Sequence, residues 1–440
     1  MKCYQQRKRI ALASYSVALI SLVVFLANPK WIAWCLMAYV TLEVGLHWGI
    51  AALRRRFQWL ITAADQLPKF PDALLTKFLA DGFDPELGWS RKPNTTKQEI
   101  GKYGPTRYHI NEHGQRMNPG HEDLPIQIST YGDSFTFCRQ VNDHEAFQWH
   151  LSQLTQTNVL NYGVGNYGLD QAFLRMQREF PKQRSQIVIL GVVPSTVVRI
   201  ESVWKHYNEF GNTLAFKPRF IMQGETLKLI PNFINTAEKL KNYRPYLKEI
   251  NQYDSFYESK FLAEMLAFPY CYSLLKAPKR HLSLLYKVLF GQQQQALDAI
   301  MASNLSLRQR LFKEADSLQL LNSLLDSFIS YAKQQEFTPI LMWMPQKDDI
   351  LCIRSQGPYY QDFIQAAKQR MNVIDLTESL LKVDNIEDLY SDDSHYGGHL
   401  SKEGNKRIAH EIYQYLLSVN LLAPKDRHCV NVTEKDAQTI

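Results

Sequence analysis

The chain has 440 residues, 45% of them apolar and 21% charged, with a formal net charge of +7. That apolar content excludes a disordered or collagen-like polymer, and at about 150 residues per domain the length allows up to three domains. The basic runs Arg7-Lys8-Arg9 and Arg54-Arg55-Arg56 flank apolar segments, which assigns them to a membrane and not to nucleic acid; no zinc-finger, helix-turn-helix or RNA-binding signature accompanies them. Six cysteines lie far apart with no CxxC pair, so neither a disulfide framework nor a metal site is expected.

Residues 10–28 and 31–53 are two nearly unbroken apolar runs. Each approaches the ~20 residues that a helix needs to cross a bilayer. Asn28-Pro29-Lys30 between them is a turn signal, so the expectation is a transmembrane hairpin in residues 1–56. Basic residues at both outer ends place both ends in the cytoplasm, which makes the chain a two-pass protein of the inner cell membrane with a cytoplasmic body. A cleaved signal peptide is the rival reading, but no good small-x-small site stands near Ala27. Glu43 and His47 fall four apart in the second run, spaced to pair with each other or with a partner helix. The lipid bilayer and a membrane partner protein are therefore the expected contacts of this region.

Residues 57–84 read as a linker broken by Pro68 and Pro71. Residues 85–420 then alternate strand-like and helix-like segments, which predicts an α/β domain with a parallel sheet. Strands are expected at Ile126–Thr130, Gln186–Val193, Thr338–Met344 and Asn372–Leu376, and a hairpin at Phe220–Ile230 around Gly224-Glu225. Leu318, Leu321, Leu325, Phe328 and Ala332 form an apolar stripe at helical spacing, the mark of a core helix. Residues 233–312 lack strand pattern and read as a mainly helical insertion; residues 421–440 are a tail.

Two segments carry chemistry. In Tyr131-Gly132-Asp133-Ser134-Phe135-Thr136-Phe137 a strand runs into a glycine turn and then a helix, leaving Ser134 at a helix N-terminus on the carboxyl edge of the sheet. That position suits a nucleophile whose helix-start amides meet a developing oxyanion; a simple helix cap fits the heptapeptide equally well. The second segment runs from Asp392-Asp393-Ser394-His395 to Gly398-His399-Leu400-Ser401 and Gly404. Ser401 is placed to cap a helix, and a histidine just before the cap is held firmly enough to act as a general base with an aspartate behind it. A polar surface loop has the same composition.

Taken together, these segments resemble the SGNH (GDSL-type) hydrolases, serine esterases and lipases with a three-layer flavodoxin-like fold. Gly132-Asp133-Ser134 matches the first block, Asn161 to Gln171 the second, and His399-Leu400-Ser401-x-x-Gly404 the last. Glu86-Leu87-Gly88-Trp89 and Asn111-x-x-Gly114-x-Arg116 look like segments that precede this domain in polysaccharide-linked members. The resemblance implies Ser134 as nucleophile, His399 as base and Asp393 as acid, with Asp392 and His395 as alternatives. It implies an oxyanion hole from the backbone amides of Ser134 and Asn166, with Gly165 or Ser195 as further contributors. It implies neither metal nor organic cofactor, and an ester substrate, an O-acetylated carbohydrate by analogy. An O-acyltransferase would use the same triad, and a catalytically silent scaffold is the non-enzymatic alternative.

Three departures stand out. Asn166 occupies the second-block glycine position. Gly191-Val192-Val193-Pro194 replaces Gly-x-Asn-Asp, removing a side-chain oxyanion donor. The acid is expected three residues before the histidine, a spacing that Asp392 keeps with His395 and that from His399 falls on Tyr396. Elsewhere, Cys138 could line the site or pack as a small core residue. Trp204 to Tyr207 could form a sugar-binding rim or plain packing, and Asp348-Asp349 could face ligand or form a solvated turn.

Overall fold

The computed structural model describes residues 29–101, 103–291, 293–391 and 398–422. The first apolar run, together with Asp392, Asp393 and His395, lies outside the described residues. The chain forms two compact units. One takes in the chain up to Lys69 with Glu209–Gly211 and Ser255–Ala299; the other takes in Phe70–Asn208, Asn212–Asp254 and the chain from Ile300. The expected insertion is therefore divided: its middle belongs with the N-terminal unit.

In the N-terminal unit the second apolar run is a single helix, Pro29–Arg56. Among the described residues it is the one helix long and apolar enough to cross a membrane. Most of its large side chains, including Trp31, Trp34, Val40 and Trp48, are exposed. Helices Tyr270–Lys276 and Pro278–Phe290 pack against it.

The larger unit begins with two short strands, β1 (Phe83–Asp84) and β2 (Gly88–Trp89), and an antiparallel hairpin of β3 (Thr95–Gly101) and β4 (Gly104–Ile110). Then come β5 (Ile126–Gly132), β6 (Asn158–Asn161) and β7 (Ile187–Val192). The hairpin of β8 (Arg219–Gln223) and β9 (Thr226–Ile230) turns at Gly224-Glu225 as the sequence predicts. β10 (Thr338–Trp343) and β11 (Asn372–Asp375) follow.

The central sheet has the order β6-β5-β7-β10-β11, with every pair parallel. Numbered by chain position, its five strands run 2-1-3-4-5, the flavodoxin-like order, and the direction of winding reverses between β5 and β7. All six residues of β7 are buried because both faces of the sheet are covered. On one face Ile128, Ile189 and Met342 join Phe147, Leu151, Ile408 and Ile412 in a single core, which brings in helices Phe147–Thr155 and Lys402–Ser418. The opposite face carries Phe173 beside Phe328, and Trp343 beside Phe363, from helices Leu169–Glu179, Ala315–Gln335 and Gln361–Lys368. In the Ala315–Gln335 helix, Leu321, Leu325, Phe328 and Ala332 are buried as the stripe predicts, and Leu318 sits half-buried at its edge.

Candidate active site

Ser134 follows β5 directly, at the carboxyl edge of the sheet beside the β5/β7 reversal, where open α/β sheets hold their ligands. The turn there depends on Gly132. A methyl group on it would lie 1.9 Å from the Gly191 carbonyl oxygen of β7. The expected helix after Ser134 does not form. Phe137 N–H reaches the Asp133 carbonyl at 2.9 Å and Arg139 N–H the Ser134 carbonyl at 3.2 Å, but Cys138 and Gln140 then take left-handed φ values of 59° and 64° and end the coil. With so short a turn, a helix dipole contributes little to this site.

Side chains brought in from elsewhere fix this loop. Arg116 is buried; its Nε donates to Asp143 at 2.9 Å, its Nη1 to the Phe137 carbonyl at 2.9 Å and its Nη2 to the Val141 carbonyl at 2.5 Å. Asp133 is fully buried. Its carboxylate accepts from Phe135 N–H at 2.8 Å and from Arg199 at 3.0 Å. Burial pushes its pKa up while Arg199 and the amides pull it down.

The second-block loop packs against the turn that carries Ser134. Val164 N–H donates to the Gly132 carbonyl at 3.0 Å, and Trp89 Nε1 donates to the Gly165 carbonyl at 2.9 Å. A methyl built on Gly165 would sit 3.9 Å from Ser134 Cβ, so this glycine faces Ser134. Asn166 holds φ at 69°, a conformation that glycine takes freely and asparagine tolerates, which accounts for the substitution at this position.

After β7, Gly191-Val192-Val193-Pro194 supplies no amide side chain. Thr196 Oγ1 is occupied, accepting from Leu169 N–H at 2.8 Å. Ser195 Oγ is buried with no hydrogen-bond partner among the described residues.

His399 reaches the site through the last block. Ser401 caps the Lys402–Ser418 helix as expected, its Oγ accepting from Gly404 N–H at 3.2 Å. Gly404 allows that helix to approach the Leu389 carbonyl, which a methyl would meet at 2.4 Å. Ser391 N–H donates to the His399 carbonyl at 2.7 Å. The imidazole lies against Phe135, ring centroids 5.2 Å apart, next to Ser134 in sequence. Its Nδ1 is 3.0 Å from Gln140 Oε1; with the proton on Nδ1, Nε2 is left to accept one. Burial, with Arg139, Arg199 and Arg91 nearby, holds the His399 pKa well below the ordinary histidine value. No hydrogen bond joins Ser134 to His399 among the described residues.

Sequence reasoning did not find Gln140, Arg91 or Arg199. Each reaches the site through tertiary contacts, with no spacing signal of its own. Of three other readings left open by the sequence, two resolve to packing and one, the solvated turn at Asp348-Asp349, is corrected. Trp204, Lys205, His206 and Tyr207 are buried, so they pack the interior and form no sugar-facing rim. Asp349 is buried against Arg308 at 2.6 Å, which also holds Asp348 at 2.7 Å, so the pair is no solvated turn. Cys138 is buried and its thiol is pushed up to about 12, which keeps it protonated and inert. A cavity of about 400 Å³ bounded by Ser90, Arg91, Arg175, Arg178 and Lys182 shares Arg91 with this constellation; neither Ser134 nor His399 lines it.

In fold, the chain is similar to solved lipolytic proteins of the G-D-S-L family. One from Desulfitobacterium hafniense DCB-2 is 14% identical, with a TM-score of 0.33, over 66% of this chain and 99% of that one. A lipase/acylhydrolase from Enterococcus faecalis is 10% identical, with a TM-score of 0.33, over 68% and 99% of the two chains. The acetyl xylan esterase AlAXEase is 11% identical, with a TM-score of 0.31, over 66% and 100%. No family model and no curated protein matches the chain.

Proposed function

We propose that the chain is a membrane-anchored serine esterase that removes an O-acyl group, an acetyl on a carbohydrate being the preferred class. One observation carries this reading: Ser134 stands at the sheet's winding reversal with Gly165 facing it and the His399 ring tilted against the adjoining Phe135. His399 Nε2 takes the Ser134 hydroxyl proton as Oγ attacks the acyl carbonyl carbon. Backbone amides of Ser134 and Asn166 hold the oxyanion. The alcohol leaves with the proton from His399. Water, deprotonated by the same nitrogen, then frees the carboxylic acid and restores the serine. Asp393, or Asp392, completes the triad in this proposal. The carbohydrate preference rests on the motif resemblance alone.

The anchor is the Pro29–Arg56 helix, with residues 10–28 as its companion span. Arg54, Arg55 and Arg56 end the helix, and by the positive-inside rule they support a cytoplasmic side for the soluble body. The test is fluorophosphonate labelling and acetate release by the full-length protein in detergent, beside Ser134→Ala and His399→Ala. The expected result is labelling and turnover that vanish in both variants. A folded wild-type protein that neither labels nor turns over any ester would favour the scaffold. Transfer of acetyl to an added sugar without free acetate would favour the acyltransferase.

A further inference from the structure

The third block lacks its side-chain donor, yet the nucleophile faces a guanidinium. A methyl built on Gly165 would lie 3.7 Å from Arg91 Nη2 and 3.9 Å from Ser134 Cβ, so the two groups flank one small space in front of that glycine. Arg91 is held there firmly. Its Nη1 donates to Tyr108 OH at 2.8 Å, and its Cζ lies over the Phe137 ring, 4.1 Å from the centroid. The chain two residues earlier is pinned to the same loop by the bond from Trp89 Nε1 to the Gly165 carbonyl. Arg91 Nε is buried with no hydrogen-bond partner among the described residues. Nη2, the nitrogen beside that space, makes no hydrogen bond among the described residues and keeps its donors for an arriving negative oxygen.

We propose that Arg91 is a catalytic residue, donating from Nη2 to the oxyanion formed on Ser134 and so replacing the missing third-block asparagine. This rests on the esterase reading of the site. Such a donor costs no reorganisation when charge develops, and losing one typically lowers turnover about 100- to 1000-fold. Arginine stays charged through the working pH range, so the donor is always present.

The test uses full-length protein and p-nitrophenyl acetate, a neutral ester. Arg91→Met is expected to lower kcat about 100-fold with KM nearly unchanged, Arg91→Lys to fall less, and added guanidinium ion to restore part of the Met variant's rate. Gly165→Ala, which leaves every Arg91 contact in place and fills the shared space, is expected to slow turnover as well; it keeps the test valid if Arg91→Met does not fold. An unchanged kcat in Arg91→Lys and Gly165→Ala overturns the proposal. So does a loss confined to an anionic ester such as p-nitrophenyl hemisuccinate, which would make Arg91 a substrate-binding group. Wild-type protein that Ser134-directed probes never label would instead overturn the esterase reading itself.

A separate observation concerns the N-terminal unit. Glu43, midway along the apolar helix, accepts from the backbone N–H groups of Tyr270 at 2.6 Å and Cys271 at 2.9 Å, and His47 Nδ1 meets Tyr270 OH at 2.9 Å. The two ionisable groups of the apolar run are thus used by the insertion. Glu43 lies eleven residues before Arg54, about 16 Å along the helix, against about 15 Å for half a hydrocarbon layer. The insertion exposes large apolar side chains along the same helix, from Phe268 (71% exposed) and Leu275 (73%) near that depth to Phe290 (75%), three residues before Gln293, which donates to the Arg56 carbonyl at 3.1 Å. Lys276, Lys279 and Lys287 lie in the same stretch of chain, suited to lipid headgroups.

We infer that residues 268–290 enter the same bilayer as the Pro29–Arg56 helix, with lipid covering their apolar side. This rests on the anchor reading of that helix. The test is photolabelling of full-length protein in phosphatidylcholine vesicles with a bilayer-soluble diazirine, mapped by peptide, beside hydroxyl-radical footprinting from water. The expected result is carbene label on both 31–48 and 268–290. Label on 31–48 alone, with Phe268 and Phe290 oxidised from water or shielded from both reagents, overturns the inference. No label on either segment overturns the anchor reading.

Discussion

The loop after β5 and the loop after β7 sit side by side at one edge of the sheet, and they reach the site by different routes. After β5 the chemistry is contiguous: Gly132, Asp133 and Ser134 turn the chain and present the hydroxyl. After β7 the expected amide is missing, and Gly191-Val192-Val193-Pro194 offers backbone and apolar side chains. What stands opposite Ser134 instead is Arg91, roughly forty residues upstream in sequence and close in space. A motif read along the chain finds the first kind of loop and reports the second as a defect.

The comparison breaks most completely if Ser134 is not the nucleophile. Ser134→Ala is expected to abolish fluorophosphonate labelling while leaving the melting temperature within a degree or two, because the hydroxyl makes no hydrogen bond among the described residues. Retained labelling would move the nucleophile elsewhere. Arg116→Met probes the support of the same loop. It leaves Asp143 with His109 as its remaining side-chain ion-pair partner, strips the Val141 carbonyl of its donor and leaves the Phe137 carbonyl with Asn161 Nδ2 at 3.4 Å. A loss of about 3–5 kcal/mol of stability is expected, measured by denaturant unfolding, with labelling lost in step. A stable Arg116→Met that labels normally would show that the turn holds its own shape.

How much was legible follows from the same contrast. The parallel sheet could be read because β5, β7, β10 and β11 are continuous apolar runs, and Ser401 could be read as a cap because capping is local. β6, only Asn158–Asn161, has too few residues for a pattern, and β3 and β4 alternate weakly because most of their residues are partly exposed. The helix after Ser134 was over-read: nothing in Phe135-Thr136-Phe137 signals that Cys138 and Gln140 turn left-handed. Gln140 was invisible for a further reason. Its role depends on the His399 ring arriving from 259 residues away, which no local window contains.

Gln140 therefore gives a finer test of how the base is oriented. Its Oε1 occupies one hydrogen-bond position on Nδ1, where a triad normally places a carboxylate. Gln140→Leu is expected to lower kcat about 10- to 100-fold, the worth of a hydrogen bond to a group that becomes charged during the reaction. Gln140→Glu is expected to recover much of that by holding the imidazolium. If Gln140→Leu is silent and Asp393→Asn is not, the aspartate orients the ring.

The smallest effect expected is a shift in pH dependence, and its direction follows from the surroundings of His399. Burial and three nearby arginines disfavour the imidazolium, so the folded-state pKa lies well below the ordinary 6.5. The acid limb of kcat/KM should accordingly have its midpoint below pH 6.5. In the stability profile, the unfolded chain binds the proton that the folded chain refuses. His399 thus contributes its full share above pH 6.5 and loses it as pH falls toward the folded pKa. Arg139 leaves the site by a single change, because its other partner is the carboxylate of Glu99 at 2.9 Å. Arg139→Gln should raise the acid limb toward 6.5, while Ser134→Ala should leave the His399 titration, followed by NMR, nearly where it was. A limb at or above 6.5 in the wild-type protein would mean that a carboxylate outweighs all three arginines at the ring. Asp393→Asn would then have to lower it, which assigns the acid of the triad by the sign of one shift.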